Sequence, residues 1–242
     1  MRFLLHEMSW TEAKEYFDKN DIAILPVGSN EQHGPHNPLG TDHLIAKAMA
    51  EEAAKRTGVV CLQVIPFGVS VHHKQFCGTI DISPSAFENY VKDVCLSLRR
   101  WGVKKIVIVN GHGGNLSALE KLAIKLRKYM FISIFQWWSA ARKLLPNMFA
   151  QDERAHACAE ETSVNLALHA HLVNMEKALD EIIPRHPAEA AGVMLPLFTA
   201  DLSSSGVWGK STTASAEKGK KVFEAVVNEL VGHINKLREM RI

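Results

Sequence analysis

The stretch Ile22–His43, IAILPVGSNEQHGPHNPLGTDH, restricts what this chain can fold into more than any other part of it. An apolar run from Ile22 to Val27 stops at Gly28, and Glu31, His33, His36, Asp42 and His43 follow. A buried strand that ends in glycine and then presents acids and imidazoles is how α/β enzymes build sites, because ligands bind beyond the carboxyl ends of strands. Glu31 and His33 are two positions apart, so in extended chain both point to one side. Asp42 follows the turn-prone Pro38-Leu39-Gly40 and can be returned to the same point. Carboxylate plus imidazole is a ligand set for zinc, manganese or iron. The plainer alternative is a polar loop whose histidines only make hydrogen bonds.

The rest of the chain alternates strands with helices. Ser9-Trp10-Thr11-Glu12 is a capping-box pattern and predicts a short helix to about Asn20. After the Ile22–Val27 strand, a helix is expected over Leu44–Arg56, ended by Gly58. A second strand is expected over Val59–Ile65, stopped by Pro66, followed by the loop Phe67–Asp81. Ser83-Pro84 opens a helix to Arg100, with proline at its permitted first turn. Lys105–Val109 reads as a third strand, Leu116 to about Tyr129 as a helix, and Phe131–Trp137 as a fourth strand. A helix is expected from about Glu160 to His171, and the chain from 184 to 208 reads as loop. From Ser215 onward a long helix carries Val222, Val226, Val227, Leu230, Val231, Ile234 and Leu237 on one face. This order implies βαβ units with right-handed crossovers. The expected fold class is α/β, a three-layer α/β/α arrangement around a mainly parallel sheet. No repeat or low-complexity linker interrupts it, so residues 1–242 are expected to form a single domain. An apolar fraction of 47% is enough for its core.

Composition narrows the function classes. A net charge of +2 and the lack of a long Lys/Arg block argue against a nucleic-acid partner. No run approaches the roughly 18 apolar residues of a spanning helix, so no membrane partner is expected. MRFLLHEMSW has no apolar core long enough for a signal peptide. Cys61, Cys77, Cys95 and Cys158 are scattered without a CxxC and read as reduced thiols. A cytoplasmic protein is expected.

Two further motifs carry chemistry. Asn110–Asn115, NGHGGN, follows the strand KIVIV directly. Its glycines allow a sharp turn and a close backbone approach, and His112 then stands on the sheet edge that holds Glu31, His33 and Asp42. A phosphate cradle is the competing reading. The dinucleotide fingerprint would need glycine at Leu116, and no GK[ST] is present. The other motif is His156–Ser163, HACAEETS, with Glu160 and Glu161 opening a helix. Acids are favoured there by the helix dipole alone, and for Glu160 a solvated helix start is the expected reading.

Taken together and in this order, LPVGSNEQHGPHNPLGTD, FGVSVHHKQFCGT, NGHGGN and HACAEETS resemble the creatininase family of metal-dependent amidohydrolases. The resemblance covers roughly residues 20–220. It implies the three-layer fold, two divalent metal ions per chain (zinc, manganese or iron) and a homo-oligomer, often a hexamer. By position it implies Glu31, Asp42 and His112 as ligands of one ion, and His33 with the bridging Asp42 as ligands of the second. Creatinine-cleaving members place a glutamate two residues after the NGH histidine. Here that position is Gly114, which puts creatinine itself in doubt and leaves Glu161, the acid of the family's HAGExETS pattern, to fill the place. That pattern has Cys158 for its glycine and Ala159 for its first glutamate. Ser70 and His73 match the family's GxSxxH stretch, and Cys77 stands where FPGT has proline.

The chemistry implied is hydrolysis of a small-molecule amide. A carboxylate-bridged metal pair can share a water and lower its pKa toward neutrality. The leaving nitrogen needs a proton, and His156 is the chosen acid because imidazole titrates near neutral pH. Trp138 could stack on a planar substrate or simply pack, and Gly113 and Gly114 would leave room for it. A nucleophile elbow is missing around Ser70, so a serine hydrolase finds no support. The expected function is opening of a small, creatinine-like cyclic amide. The alternatives are a formamide hydrolase acting on a pyrimidine intermediate of flavin or deazaflavin biosynthesis, and a non-catalytic metal- or nucleotide-binding protein. Apolar side chains near 140–155 and 184–210, among them Trp137, Trp138, Leu144, Leu145, Met148, Phe149 and Phe198, are expected at subunit contacts.

Overall fold

Three parallel strands form the sheet of the computed structural model, which describes residues 2–183 and 186–241. They are β1 (Ile22–Val27), β2 (Lys105–Asn110) and β3 (Phe131–Gln136), hydrogen-bonded in that order, with Ile22 opposite Lys105 and Lys105 opposite Phe131. β1 and β2 are buried along their whole length. That is why they read as continuous apolar runs and not as alternating ones.

The two faces of the sheet carry separate cores. Ile22, Ile24, Val107 and Val109 pack against α2 (Thr41–Thr57), α5 (Trp137–Leu144), α6 (Ala159–His169) and α8 (Ala216–Glu239). Ala23, Leu25, Val27, Ile106 and Ile108 pack against α3 (Pro84–Arg100) and α4 (Leu116–Leu126). This is the three-layer arrangement expected. α8 buries Val222, Val226, Val227, Leu230, Ile234 and Leu237, while Val231 only borders the core. Each fully buried aliphatic side chain contributes roughly 1.5–3 kcal/mol. α1 (Trp10–Phe17) opens on the expected capping box, the Ser9 hydroxyl accepting from the Glu12 N–H and the Glu12 carboxylate from the Ser9 N–H.

Several expected boundaries move. Val59–Ile65 lies beside β1 but forms only isolated parallel bridges, at Cys61 and Ile65. Pro26 explains this. The Ile24 N–H donates to the Val60 carbonyl and the Leu62 N–H to Ile24, but Pro26 has no N–H to continue the ladder. The next donor to the Pro26 carbonyl is Ile65, three positions past Leu62, so the edge segment carries a one-residue bulge. α2 begins at Thr41 and so contains Asp42, which the sequence reading left in the loop. α5 occupies 137–144, where a strand end and a loop were expected. α4 stops at Leu126 and α6 at His169, and the short α7 (Thr199–Leu202) interrupts the 184–208 loop, of which 184 and 185 lie outside the described residues.

The side chains expected at subunit contacts are largely internal. Trp137 and Phe149 are buried, and Trp138, Leu145 and Met148 pack against the same core, leaving Leu144 exposed and Phe198 half-buried under Lys74. The homo-oligomer then rests on resemblance alone. No helix among the described residues is long and apolar enough to cross a membrane.

Candidate metal centre

The carboxyl edge of the sheet gathers Glu31, His33, Asp42, His112, His156 and Glu161 from four segments of the chain. Glu31 and His33 follow β1, and the Glu31 N–H is tied to the Leu39 carbonyl, which folds the loop back toward α2. Asp42 projects from the first turn of α2. His112 follows β2. Gly111 is needed there because a Cβ at that position would lie 2.2 Å from the Asp42 carbonyl oxygen. That close approach brings His112 Nδ1 to 2.9 Å from Asp42 Oδ2 and 3.3 Å from Glu31 Oε1. Glu161 opens α6, and its Oε2 accepts from the Ala157 N–H at 2.7 Å. Ala157 turns that N–H inward by adopting a left-handed conformation, with φ of 58°.

The donor atoms form three overlapping groups, each with its atoms within 4.8 Å of one another: Glu31, Asp42 and His112; His33, Asp42 and Glu161; and Glu31, His33 and His156. His33 Nε2 lies 3.1 Å from Asp42 Oδ1 and 3.8 Å from Glu161 Oε2. His33 donates from Nδ1 to the Glu31 carbonyl and His112 from Nε2 to the Val69 carbonyl, so their inner nitrogens face the carboxylates bare, and Glu31 Oε2, His33 Nε2 and Asp42 Oδ2 are buried without a hydrogen bond. Unpartnered buried polar atoms of ligand type call for an explanation, and an O/N donor set of this kind suits a divalent cation.

Electrostatics say the same. Burial alone would pull the His33 pKa down, but Asp42, Glu161 and Glu31 outweigh it and push it up to about 10. His112 is raised well above 6.5 against the same burial, by Glu31 and Asp42. Burial would raise Asp42, yet the two imidazoles hold it far below its ordinary 3.8. Burial pushes Glu161 up to about 7, with Asp42 adding to it and His33 opposing. Without a cation, the cluster draws protons into the positions a cation would neutralise.

The remaining expected residues divide. His73 is brought in, its Nε2 lying 3.5 Å from Glu31 Oε1 and its ring stacked 4.2 Å from that of His156. His156 is present too, with Nδ1 3.9 Å from Glu31 Oε1. Burial, and then the charge of His33, keep its pKa well below 6.5. In the metal-free chain it is therefore a neutral imidazole, which takes up a proton before it can act as the expected acid. Ser70 is buried with its hydroxyl paired to that of Ser29 and its N–H donating to Asp81, contacts that brace the loop. Trp138 packs on the core, edge-to-face with Trp137. His36 and His43 turn away, to the Thr162 hydroxyl and the Ser29 carbonyl.

Gly113 faces open space, as expected, but Gly114 does not. A Cβ there would meet the Val69 carbonyl oxygen at 2.1 Å and His112 Nε2 at 2.5 Å. The backbone is packed on that side. Gly114→Glu should therefore fail to install a ligand and instead cost about 1–3 kcal/mol in urea unfolding, the range for overpacking a filled site. A variant of unchanged stability with added metal affinity would contradict this.

Two residues beside the cluster escaped the sequence reading. Trp208 lies 6.3 Å from the His73 ring and 6.2 Å from the His156 ring, with a buried indole N–H that has no partner. Gln32 reaches both histidines, its amide nitrogen lying 2.9 Å from His73 Nδ1 and from His156 Nε2. The only available signal for Gln32 was its place between two ligand candidates.

A family model described as creatininase, creatinine amidohydrolase, matches residues 6–234. The mycofactocin precursor peptide peptidase of Mycolicibacterium smegmatis is 33% identical over 224 residues, 89% of this chain and 85% of that protein. The 3-dehydro-scyllo-inosose hydrolase of Thermotoga maritima is 30% identical over 257 residues, 92% of this chain and 79% of that one. A crystal structure of creatinine amidohydrolase (creatininase) superposes with a TM-score of 0.84 at 25% identity, covering 99% of each chain.

Proposed function

Because this chain belongs to the creatininase family and is a hydrolase, we propose that it is a metal-dependent amidohydrolase acting on a small cyclic amide. The observation that carries the reading is the set of buried, unpartnered donor atoms on Glu31, His33 and Asp42, ringed by His112 and Glu161. Glu31, Asp42 and His112 would hold one divalent ion and His33, Asp42 and Glu161 a second, Asp42 serving both. Bound there, the ions would supply an activated water and polarise a carbonyl. Creatininases of this fold solved in manganese and zinc–zinc forms support that choice of metal.

The chain's own residues supply the rest. His156 Nδ1 faces the cluster as a proton acceptor, and once protonated it can pass the proton to the leaving nitrogen. Trp208 offers an indole face and an unused N–H beside the two imidazoles, on the side where a planar amide could stack. Gly113 leaves open space next to His112. A second reading, hydrolysis of a formamide, is favoured by a relative from Methanothermobacter thermautotrophicus named as a formylaminopyrimidine deformylase, 34% identical over 170 residues, 69% of this chain and 68% of that one. Cytoplasmic placement fits the four free thiols.

Hydrolysis of creatinine, an N-formylaminopyrimidine and a simple peptide amide, with and without chelator, tests the reading. Chelator-sensitive cleavage of creatinine supports it, chelator-sensitive cleavage of the formamide alone supports the second reading, and cleavage of neither by the metal-loaded protein removes both.

The pKa shifts give a second test. In the metal-free chain the Glu161 carboxyl is raised, so its contribution to stability is present below its ordinary 4.5 and lost as pH rises through about 7. His33 acts in the same direction, its contribution present below 6.5 and lost through about 10. The Tm of chelated protein should therefore fall as pH is raised from about 7 to about 10, above the range in which His36, His73 and His156, lowered by burial, act the other way, and zinc binding near pH 7 should release protons. A chelated protein whose Tm is flat over that range, with no proton release on zinc addition, would show that the cluster does not behave as a cation site.

A further inference from the structure

Gln32 is almost wholly buried between Glu31 and His33. Its Oε1 accepts from the Gly34 N–H at 2.9 Å, and this fixes which end of the amide is oxygen. The amide nitrogen then faces three atoms: the Gly206 carbonyl at 3.2 Å, His73 Nδ1 at 2.9 Å and His156 Nε2 at 2.9 Å. It has two hydrogens to give. One goes to the Gly206 carbonyl, which can only accept.

The destination of the other follows from His156. Its Nε2 also lies 2.8 Å from the Gln32 backbone carbonyl, another pure acceptor, so Nε2 carries the proton and donates there. A protonated nitrogen cannot accept from the amide. The second amide hydrogen is therefore left for His73 Nδ1, which must present its lone pair. The Thr199 hydroxyl, 3.0 Å from the same Nδ1, can donate to it as well. His73 then carries its proton on Nε2, the atom 3.5 Å from Glu31 Oε1. His156, protonated on Nε2, turns a bare Nδ1 toward Glu31.

We propose that Gln32 is a positioning residue that fixes both stacked imidazoles in the Nε2-protonated tautomer but turned opposite ways, so that His73 offers a donor and His156 an acceptor to whatever occupies the space over the ligand cluster. The side-chain amide sets His73 and the backbone carbonyl of the same residue sets His156. This suits a substrate with a hydrogen-bond acceptor near a site of proton removal, which describes an amide carbonyl attacked by water. It deepens the reading of the site as an amidohydrolase, but the tautomers themselves are independent of turnover.

The test uses zinc-loaded protein labelled with ¹⁵N-histidine, with Gln32→Glu and Gln32→Met as variants. A glutamate in place of the amide cannot donate to His73 and would draw a proton onto its Nδ1, whereas methionine keeps the volume and removes the donor. Long-range ¹H–¹⁵N spectra of the unaltered protein should show both rings protonated on Nε2. Gln32→Glu should move His73 to the Nδ1-protonated form, and Gln32→Met should give it mixed tautomers, while His156 stays as it was because its backbone partner remains. Zinc content should be retained. On whichever amide the protein hydrolyses, kcat should fall about 10–100-fold with little change in KM, the usual cost of losing an orienting partner. His73 protonated on Nδ1 in the unaltered protein would overturn the proposal, as would an unchanged His73 signal in both folded variants. If no amide is cleaved but the tautomers behave as stated, the tautomer assignment stands and the amidohydrolase reading fails separately.

Discussion

Asp42→Ala is expected to empty the site of most of both metal ions and to abolish hydrolysis. Asp42 is the only side chain shared by the two groups assigned to the ions. Its Oδ1 lies 3.1 Å from His33 Nε2 and its Oδ2 2.9 Å from His112 Nδ1. Removing it breaks both groups at once and leaves each with a single carboxylate. The loss should exceed the roughly 10–100-fold that follows removal of a group which only orients a ligand. Elemental analysis of the purified variant should drop from about two metal ions per chain toward none. The fold should survive, because the α2 start is also held by the Thr41 N–H on the Pro38 carbonyl and by the close packing of Gly111. Helix-dipole stabilisation by an acid in the first turn is worth only about 0.3–1 kcal/mol. Full metal content in Asp42→Ala would mean that Asp42 is not shared.

Much of this site is written in local sequence, and the parts that are not have physical reasons. Glu31, His33 and His112 follow apolar runs that can only be buried strands, so their place on one sheet edge follows from topology. The Val59–Ile65 strand was overread because its apolar character is real. What denies it a regular ladder is the missing N–H of Pro26 on a neighbouring strand, which no local pattern at 59–65 displays. Gly114 looked open because glycine signals either room or close approach, and only the Val69 carbonyl, distant in sequence, decides between them. Gln32 and Trp208 act through His73, His156 and Gly206, contacts that span the whole fold. Cys158, which replaces the glycine of the family pattern, is harmless because its φ is −91°, and the left-handed residue is its neighbour Ala157.

The adjacent pair Glu160 and Glu161 should separate metal binding from stability. On a helix, neighbours diverge by about 100°, and the two carboxylates go opposite ways. Glu161 turns to His33 and takes the Ala157 N–H. The next two side chains bond elsewhere, Thr162 with His36 and Asn37 and Ser163 with the Ser215 N–H. Glu160, expected in solvent, is buried and accepts from Arg142 Nε at 2.9 Å and Nη2 at 2.7 Å. Arg142 also donates to the Arg154 carbonyl, so this ion pair ties α5 to the segment leading into α6. Glu161→Gln is therefore expected to lose the second ion and more than about 100-fold in activity, with chelated stability at neutral pH unchanged or improved, since the neutral amide needs no proton. Glu160→Gln should keep both ions and lose about 1–2 kcal/mol in urea unfolding, the low end for a buried pair because the guanidinium is partly solvated. Metal analysis alongside urea unfolding of both variants decides it. If Glu160→Gln loses the ion and Glu161→Gln keeps it, the ligand assignment at the head of α6 is shifted by one residue.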